Sequence, residues 1–129
     1  IALENEHYFI RAAAVEKLID EKLLANIARE DDHRYVRTAA VKQLKNQEQL
    51  ESIAQTDKIY YVRKAAVKKL INQDLLSTIA LEDESYYVRT AAVEQLMDED
   101  LLANIARNDH HQNVRRAAYT RMEELHGND

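Results

Sequence analysis

The residues of this sequence that could bind a metal ion or move a proton are its five histidines and its paired carboxylates. His7 and His33 are 26 residues apart in a repeating pattern, so they are expected one interhelical spacing apart, ~10 Å, which is too far to share an ion. Carboxylate pairs such as Asp31-Asp32 fall in polar turns, where no dry pocket is expected to tune a carboxyl group for acid–base work. Because cysteine, nucleophile motifs and glycine-rich phosphate loops are also missing, we predict no enzyme activity, no metal site and no cofactor.

Basic side chains offer a second chemistry, the binding of anions. The formal net charge of −5 provides no overall attraction to nucleic acid or to an anionic membrane. Between Lys58 and Lys69, however, there is no acidic residue, and this stretch indicates a local basic face that attracts an acidic peptide or a nucleic-acid backbone. The basic residues of this stretch are Lys58, Arg63, Lys64, Lys68 and Lys69, and the preceding repeat adds Arg34, Lys42 and Lys45.

Helices must position these side chains. The chain has no proline and a single glycine, Gly127, so turns that need a positive φ are poorly supplied. Strong helix formers dominate the composition instead. The sequence therefore predicts an all-α fold with short connections.

A 26-residue internal repeat predicts the order of those helices. The string Arg-x-Ala-Ala recurs without insertion, and around it Val36, Ala40 and Leu44 share one face of a helix, which we call helix B. A second apolar string, Leu-Leu-x-x-Ile-Ala, alternates with the first and predicts a shorter helix A. The repeat arginines are Arg11, Arg37, Arg63, Arg89 and Arg115. Helix pairs in such an array stack on their neighbours, which predicts an α-solenoid and one domain over residues 1–129.

Polar residues mark where each helix begins. Asp20, Asn46, Asn72 and Asp98 hold one slot before helix A and are predicted to cap its first amides. A second set lies six residues before the repeat arginines: Asp31, Asp57, Asp83 and Asp109, with Asn5 in the equivalent place before Arg11. We predict that these carboxylates pair with a repeat arginine, their own or a neighbour's, in a ladder that ties successive repeats together.

The two ends of the chain depart from the repeat. Ile1-Ala2 aligns with Ile27-Ala28, so we expect a partial helix over residues 1–4 and a chain that is part of a longer array. At the other end Tyr119 replaces the repeat valine, and residues 116–129 are predicted to form a cap with Gly127 as the helix stop.

The pattern Asp-x-x-x-x-Val-Arg-x-x-Ala resembles the second half of the HEAT repeat. Its short unit is similar to the bacterial HEAT-like repeats of the phycobilisome-lyase type, from Asn5 to about Met122. The resemblance implies a right-handed solenoid of antiparallel helix pairs with helix B on the concave side. It also implies a scaffold or adaptor for other proteins, although a few related arrays attach bilin chromophores or bind damaged DNA.

Variable positions on helix B, expected to face solvent, are the candidate partner-binding groove. They lie three before, one after and five after each repeat arginine. The set is Tyr8, Arg34, Lys42, Tyr60, Lys64, Lys68, Tyr86, Thr90 and Arg116. A second aromatic row, two residues before the arginines, is predicted to pack between repeats: Phe9, Tyr35, Tyr61 and Tyr87.

The function predicted from these features is a scaffold that binds a protein or peptide, including an acidic one, on the helix B surface. The alternatives are nucleic-acid binding through the basic groove and a chromophore-lyase-like accessory role. No apolar run approaches the roughly 20 residues of a membrane span, and the lack of cysteine fits a cytoplasmic location.

Overall fold

The structure, a computed structural model, describes residues 7–127, and its regular secondary structure in that range is entirely α-helical. The helices are α1 (Tyr8–Val15), α2 (Glu21–Glu30), α3 (Arg34–Gln43), α4 (Gln47–Thr56), α5 (Tyr60–Val67), α6 (Gln73–Glu82), α7 (Tyr86–Val93), α8 (Glu99–Asn108) and α9 (Gln112–His126). The prediction of an all-α fold is confirmed. Asn5 and the predicted partial helix 1–4 lie outside the described residues.

The chain divides into two compact units, of which the first ends at Lys69 and the second begins at Leu70. In the first unit α3 packs against α1, α2 and α5, and α4 packs against α5. In the second unit α7 packs against α6 and α9, and α8 packs against α9. The even-numbered helices are the predicted A helices and the odd-numbered ones are the predicted B helices.

Short polar side chains start every A helix, as the sequence predicts. The Asp20 carboxylate accepts a hydrogen bond of 3.1 Å from the amide of Leu23, and Asn46, Asn72 and Asp98 bond the third residue of α4, α6 and α8 in the same way. These bonds satisfy amides that would otherwise lack a partner at the start of a helix. The predicted caps are confirmed.

The last helix continues past the point at which the other B helices end. Glu124, a good helix former, occupies the slot that holds a capping Asp or Asn in the other repeats, so no new helix begins there. The helix ends at Gly127, whose φ of 68° lies in the left-handed region that favours glycine. The predicted helix stop is confirmed.

Each unit has a core of aliphatic side chains with small residues where B helices meet. Leu24, Val36, Leu44 and Val62 are fully or almost fully buried in the first unit. In the second unit the buried side chains include Leu76, Val88, Leu96, Leu102 and Val114. The second alanine of the Ala-Ala pair, Ala40, Ala66, Ala92 or Ala118, is completely buried and lets neighbouring helices approach closely.

Buried arginine–aspartate pairs connect successive helix pairs within each unit. Arg37 Nε donates to Asp57 Oδ2 at 2.8 Å and Nη2 donates to Oδ1 at 3.3 Å, and both side chains are 7% exposed. Arg11 makes the same two bonds to Asp31, and in the second unit Arg89 makes them to Asp109. The structure thus pairs each of these arginines with the carboxylate 20 residues later, which belongs to the next repeat.

The same aspartates hold the connection between helix A and helix B. Asp31 Oδ1 accepts from the amide of His33 at 2.9 Å, and its carbonyl accepts from Arg37 Nη1 at 2.8 Å. Arg63, Arg89 and Arg115 donate to the carbonyls of Asp57, Asp83 and Asp109 in the same manner. The hydrogen bond with Asp31 raises the pKa of Arg11 above the ordinary arginine value. Because most donors and acceptors are used, these ions can stay buried.

The first residues of α2, α4 and α6 make a further set of bonds. The Glu21 carboxylate accepts from the amides of Lys45 and Asn46, and Gln47 Nε2 donates to the Lys69 carbonyl at 2.9 Å. In the second unit Gln73 donates to the carbonyl of Gln95 and accepts from the amide of Met97. Each side chain therefore reaches the B-to-A connection of the following repeat.

Replacing Arg37 with alanine leaves the buried carboxylate of Asp57 without its cation, and we expect it to lower the free energy of unfolding by about 3–5 kcal/mol. Urea denaturation followed by circular dichroism measures this loss. The matched control is Asp32→Ala, because the Asp32 side chain is 97% exposed and its contact with Arg11 is a surface pair, whose removal costs about 0–1 kcal/mol. Equal losses in the two variants would contradict a structural role for the buried pair.

Candidate functional site

A cavity of about 370 Å³ in the first unit lies between α3 and α5 and is lined by four lysines. We call it the lysine groove, and its lining residues are Thr38, Lys42, Tyr61, Lys64, Ala65, Lys68 and Lys69. No acidic side chain is among them. Three of the lysines lie here because of the repeat period. Lys42 lies five positions after Arg37, and Lys64 and Lys68 lie one and five positions after Arg63.

Lys69 is fixed in place by the end of α3. Its ammonium group donates to the carbonyls of Val41 at 3.0 Å and Lys42 at 2.8 Å, and also to that of Leu44. These carbonyls carry the partial negative charge at the helix C-terminus, which favours a cation there. Burial lowers the pKa of Lys69 below the ordinary lysine value, and the charge of Glu21 partly opposes that shift. Since all three of its donors are directed at carbonyls, Lys69 contributes charge to the groove rather than hydrogen bonds.

Lys42 and Lys68 are the accessible cations of the groove. Both side chains are exposed, and neither forms a salt bridge within residues 7–127. Their ammonium groups can therefore turn toward a bound anion. With Lys64 and Lys69 they make the groove strongly positive in a chain that is negative overall.

Tyr61 forms the aromatic wall of the groove. Its ring stacks on that of Tyr35, with 5.7 Å between centroids and 24° between planes. Its hydroxyl is buried and has no hydrogen-bond partner among the described residues. Burial raises the pKa of this hydroxyl above the ordinary tyrosine value, and the neighbouring Tyr35 adds to the shift.

The second unit holds an equivalent cavity between α7 and α9, of about 430 Å³, with a different charge. Its lining residues are Thr90, Glu94, Asn113, Arg116, Ala117, Thr120, Arg121 and Glu124. Arg121 donates to the carbonyl of Leu96 at 2.8 Å. Lys69, two repeats earlier in the sequence, donates to the carbonyl of Leu44 in the same way. Glu94 and Glu124 balance the charges of Arg116 and Arg121, so we call this cavity the neutral groove. It has the same position in its unit as the lysine groove but no excess of positive charge.

The predicted groove residues separate into three places. Lys42, Lys64 and Lys68 line the lysine groove, whereas Thr90 and Arg116 line the neutral groove. Tyr8, Arg34, Tyr60 and Tyr86 are the first residues of α1, α3, α5 and α7 and line neither cavity. The lysine groove takes its aromatic wall from Tyr61, a residue of the row predicted to pack between repeats, rather than from Tyr60.

Two of these tyrosines stack on histidines that begin the next B helix. Tyr8 lies parallel to His33 at 3.8 Å, and Tyr86 lies on His111 at 3.6 Å. His33 Nδ1 accepts a hydrogen bond from the amide of Tyr35 and so caps α3. His111 caps α9 in the same way. Within residues 7–127 no group of three or more potential ligands is placed to hold a metal ion.

A chain of aromatic rings runs along the N-terminal ends of α1, α3 and α5. We call Tyr8, Phe9, His33 and Tyr35 the aromatic strip, and it reaches the lysine groove through Tyr61. Phe9 is 61% exposed and Tyr35 is 52% exposed. The rings contact each other along this edge, yet much of their surface faces solvent.

Comparison of the chain with protein-family models, with curated proteins and with solved structures finds no match. Within the part of the chain that the structure describes, no helix has the length and apolar character needed to cross a bilayer.

Replacing Lys69 with methionine removes the cation from three carbonyls at the end of α3, and we expect a loss of about 1–2 kcal/mol in unfolding free energy. Lys69→Arg is the matched control, because Arg121 makes the equivalent bond in the second unit. Thermal and urea denaturation of both variants measure the difference. A methionine variant as stable as the arginine variant would refute the capping role.

Proposed function

We propose that this chain is a protein-binding module and that its lysine groove takes an acidic segment of a partner protein. The observation that supports this proposal is the accumulation of four cations around one open cavity that has no acidic residue in its wall. Like charges gathered in one cleft repel each other, and a bound carboxylate relieves that repulsion. Complementary charge of this kind steers association and selects acidic partners.

Lys42 and Lys68 are not needed for the fold. The slot of Lys42 holds Glu94 in the second unit and the slot of Lys68 holds Thr120, while the helices at both places pack in the same way. A surface charge that the architecture does not require but that accumulates at one cavity is typical of a binding site.

We also propose that the chain is a HEAT-like solenoid with a 26-residue unit, and that it acts as a scaffold or adaptor. Support comes from the bonds that recur at that spacing within each unit, such as those from Arg11 to Asp31 and from Arg37 to Asp57. Arrays of this kind bind partners along a surface of stacked helices and leave each repeat in contact with its neighbours.

Exchanging residues between the two grooves tests the proposal. In Lys42→Glu/Lys68→Thr the lysine groove takes the residues of the neutral groove, and we expect the affinity for a fluorescent decapeptide of glutamates and serines to fall at least about tenfold. The reverse exchange, Glu94→Lys/Thr120→Lys, should create a second binding site and raise the stoichiometry from one to two. Fluorescence anisotropy and isothermal titration calorimetry measure affinity and stoichiometry.

Both variants contain only residues that the equivalent slots already hold, so circular dichroism should show an unchanged helix content. A serine–glycine decapeptide serves as the uncharged control probe. If the acidic peptide binds the Lys42→Glu/Lys68→Thr variant as tightly as it binds the original chain, the lysine groove is not the site.

The lowered pKa of Lys69 predicts how binding depends on pH. In the folded chain Lys69 loses its proton at a lower pH than an ordinary lysine, so raising the pH removes a positive charge from the groove and weakens acidic-peptide binding. Lys69→Arg keeps its charge at alkaline pH and should hold its affinity to a higher pH. Anisotropy titrations between about pH 7 and 10 check this, and superimposable pH profiles would contradict it.

A further inference from the structure

We infer that the partner's acidic segment continues onto the aromatic strip, and that there it carries apolar side chains at alternate positions of an extended chain. This inference rests on the proposed function, because the acidic part of the segment is placed in the lysine groove. It defines a second recognition surface and the composition of the sequence that binds there.

The strip offers the kind of surface that proteins use as binding anchors. Phe9 and Tyr35 expose more than half of their surface, and Tyr8 is also exposed. Their rings are held in place by one another: Tyr8 stacks on His33, and Tyr35 contacts Tyr8, His33 and Tyr61. Large side chains that are fixed before binding lose little entropy when a partner covers them.

The strip and the lysine groove occur together, which favours one ligand that touches both. Tyr61 belongs to the groove wall and stacks on Tyr35 of the strip, so the two surfaces are continuous. At the neutral groove the slot of Tyr61 holds Asn113, so that cavity lacks the aromatic wall that joins the lysine groove to the strip.

Ring spacing indicates an extended ligand. The centroids of Tyr8 and Tyr35, and those of Tyr35 and Tyr61, are each 5.7 Å apart. In an extended peptide each residue advances the chain by about 3.3 Å, so alternate side chains on one face are roughly 6.6 Å apart. Alternate apolar side chains can therefore meet successive rings.

Charge distinguishes the two parts of the ligand. The charged residues that line the lysine groove are all cations, whereas the exposed charged residues within three positions of His33 are of both signs: Glu30, Asp32 and Arg34. Because these described residues carry both signs, they do not attract a continuous polyanion, so a phosphate backbone that tracks both surfaces is disfavoured there. A peptide that is acidic at one end and apolar at the other fits both.

The experiment compares three probes of equal length by fluorescence anisotropy: six glutamates followed by alternating serine and glycine, six glutamates followed by alternating leucine and serine, and a twelve-nucleotide oligothymidine. The peptides are made in both orientations of the acidic half. We expect the leucine-containing peptide to bind about tenfold tighter than the serine–glycine peptide. The variant Phe9→Ser/Tyr35→Ser should abolish that advantage without changing the affinity for the serine–glycine peptide, whereas Tyr119→Ser, an exposed ring outside the strip, should leave both unchanged.

Equal affinity of the two peptides for the original chain, or an advantage that survives in Phe9→Ser/Tyr35→Ser, would overturn the inference and leave the proposed function intact as long as Lys42→Glu/Lys68→Thr weakens both. If neither peptide binds, the inference and the proposed function both fail. Tighter binding of oligothymidine that depends on Phe9 and Tyr35 would replace the peptide with single-stranded nucleic acid.

Discussion

The rest of the structure depends on the buried contact between a repeat arginine and the aspartate of the next repeat. Asp31 accepts from Arg11 with both carboxylate oxygens, accepts the amide of His33, and offers its carbonyl to Arg37. Its own amide bonds the last turn of α2. Through its backbone and its side chain together, this one residue thus ends helix A, shapes the connection to helix B and joins two repeats. Because each ion is buried, losing one partner leaves the other uncompensated, and the contact is retained in every complete pair that the structure describes within a unit.

Because a few residues of each repeat hold the helices together, the other positions of helix B can differ between repeats. Arginine, alanine and the capping Asp or Asn fix the geometry, whereas the positions one and five after the arginine only line the cavity between B helices. The same architecture therefore carries four lysines around the cavity of one unit and a balanced set of charges around the cavity of the other. Function in such a chain is encoded by the residues that differ between repeats.

Periodicity is sufficient to predict the helices, the caps of the A helices and the stop at Gly127, because these features depend on local spacing and local hydrogen bonds. It does not predict the side-chain caps of the B helices, His33, Ser85 and His111. The sequence does not distinguish the partner of each arginine, since its own aspartate and the neighbour's are equally available. The reach of Glu21 to the amides of Lys45 and Asn46, and of Lys69 to the end of α3, was missed because both need the packed positions of successive repeats.

The aromatic row shows a signal that could have been used. Tyr35 lies two residues before the buried Arg37, which is roughly 200° around a helix, so it points away from the face that packs. Its exposure follows from that angle, although every repeat but the last holds an aromatic residue in this slot. Recurrence at the repeat period thus indicates which residues share a role. The angle around the helix between such a residue and the buried face indicates whether its side chain packs or is exposed.

Local rather than total charge decides what the groove can attract. The net charge of −5 is spread over the whole chain, and at physiological salt charges farther apart than about 8 Å are largely screened. An acidic segment that has entered the lysine groove therefore responds to the four nearby cations and little to the distant acids. Before it enters, the acidic remainder of the surface repels it. Under the proposed function, this local reversal of sign favours the lysine groove over the neutral groove for an acidic segment.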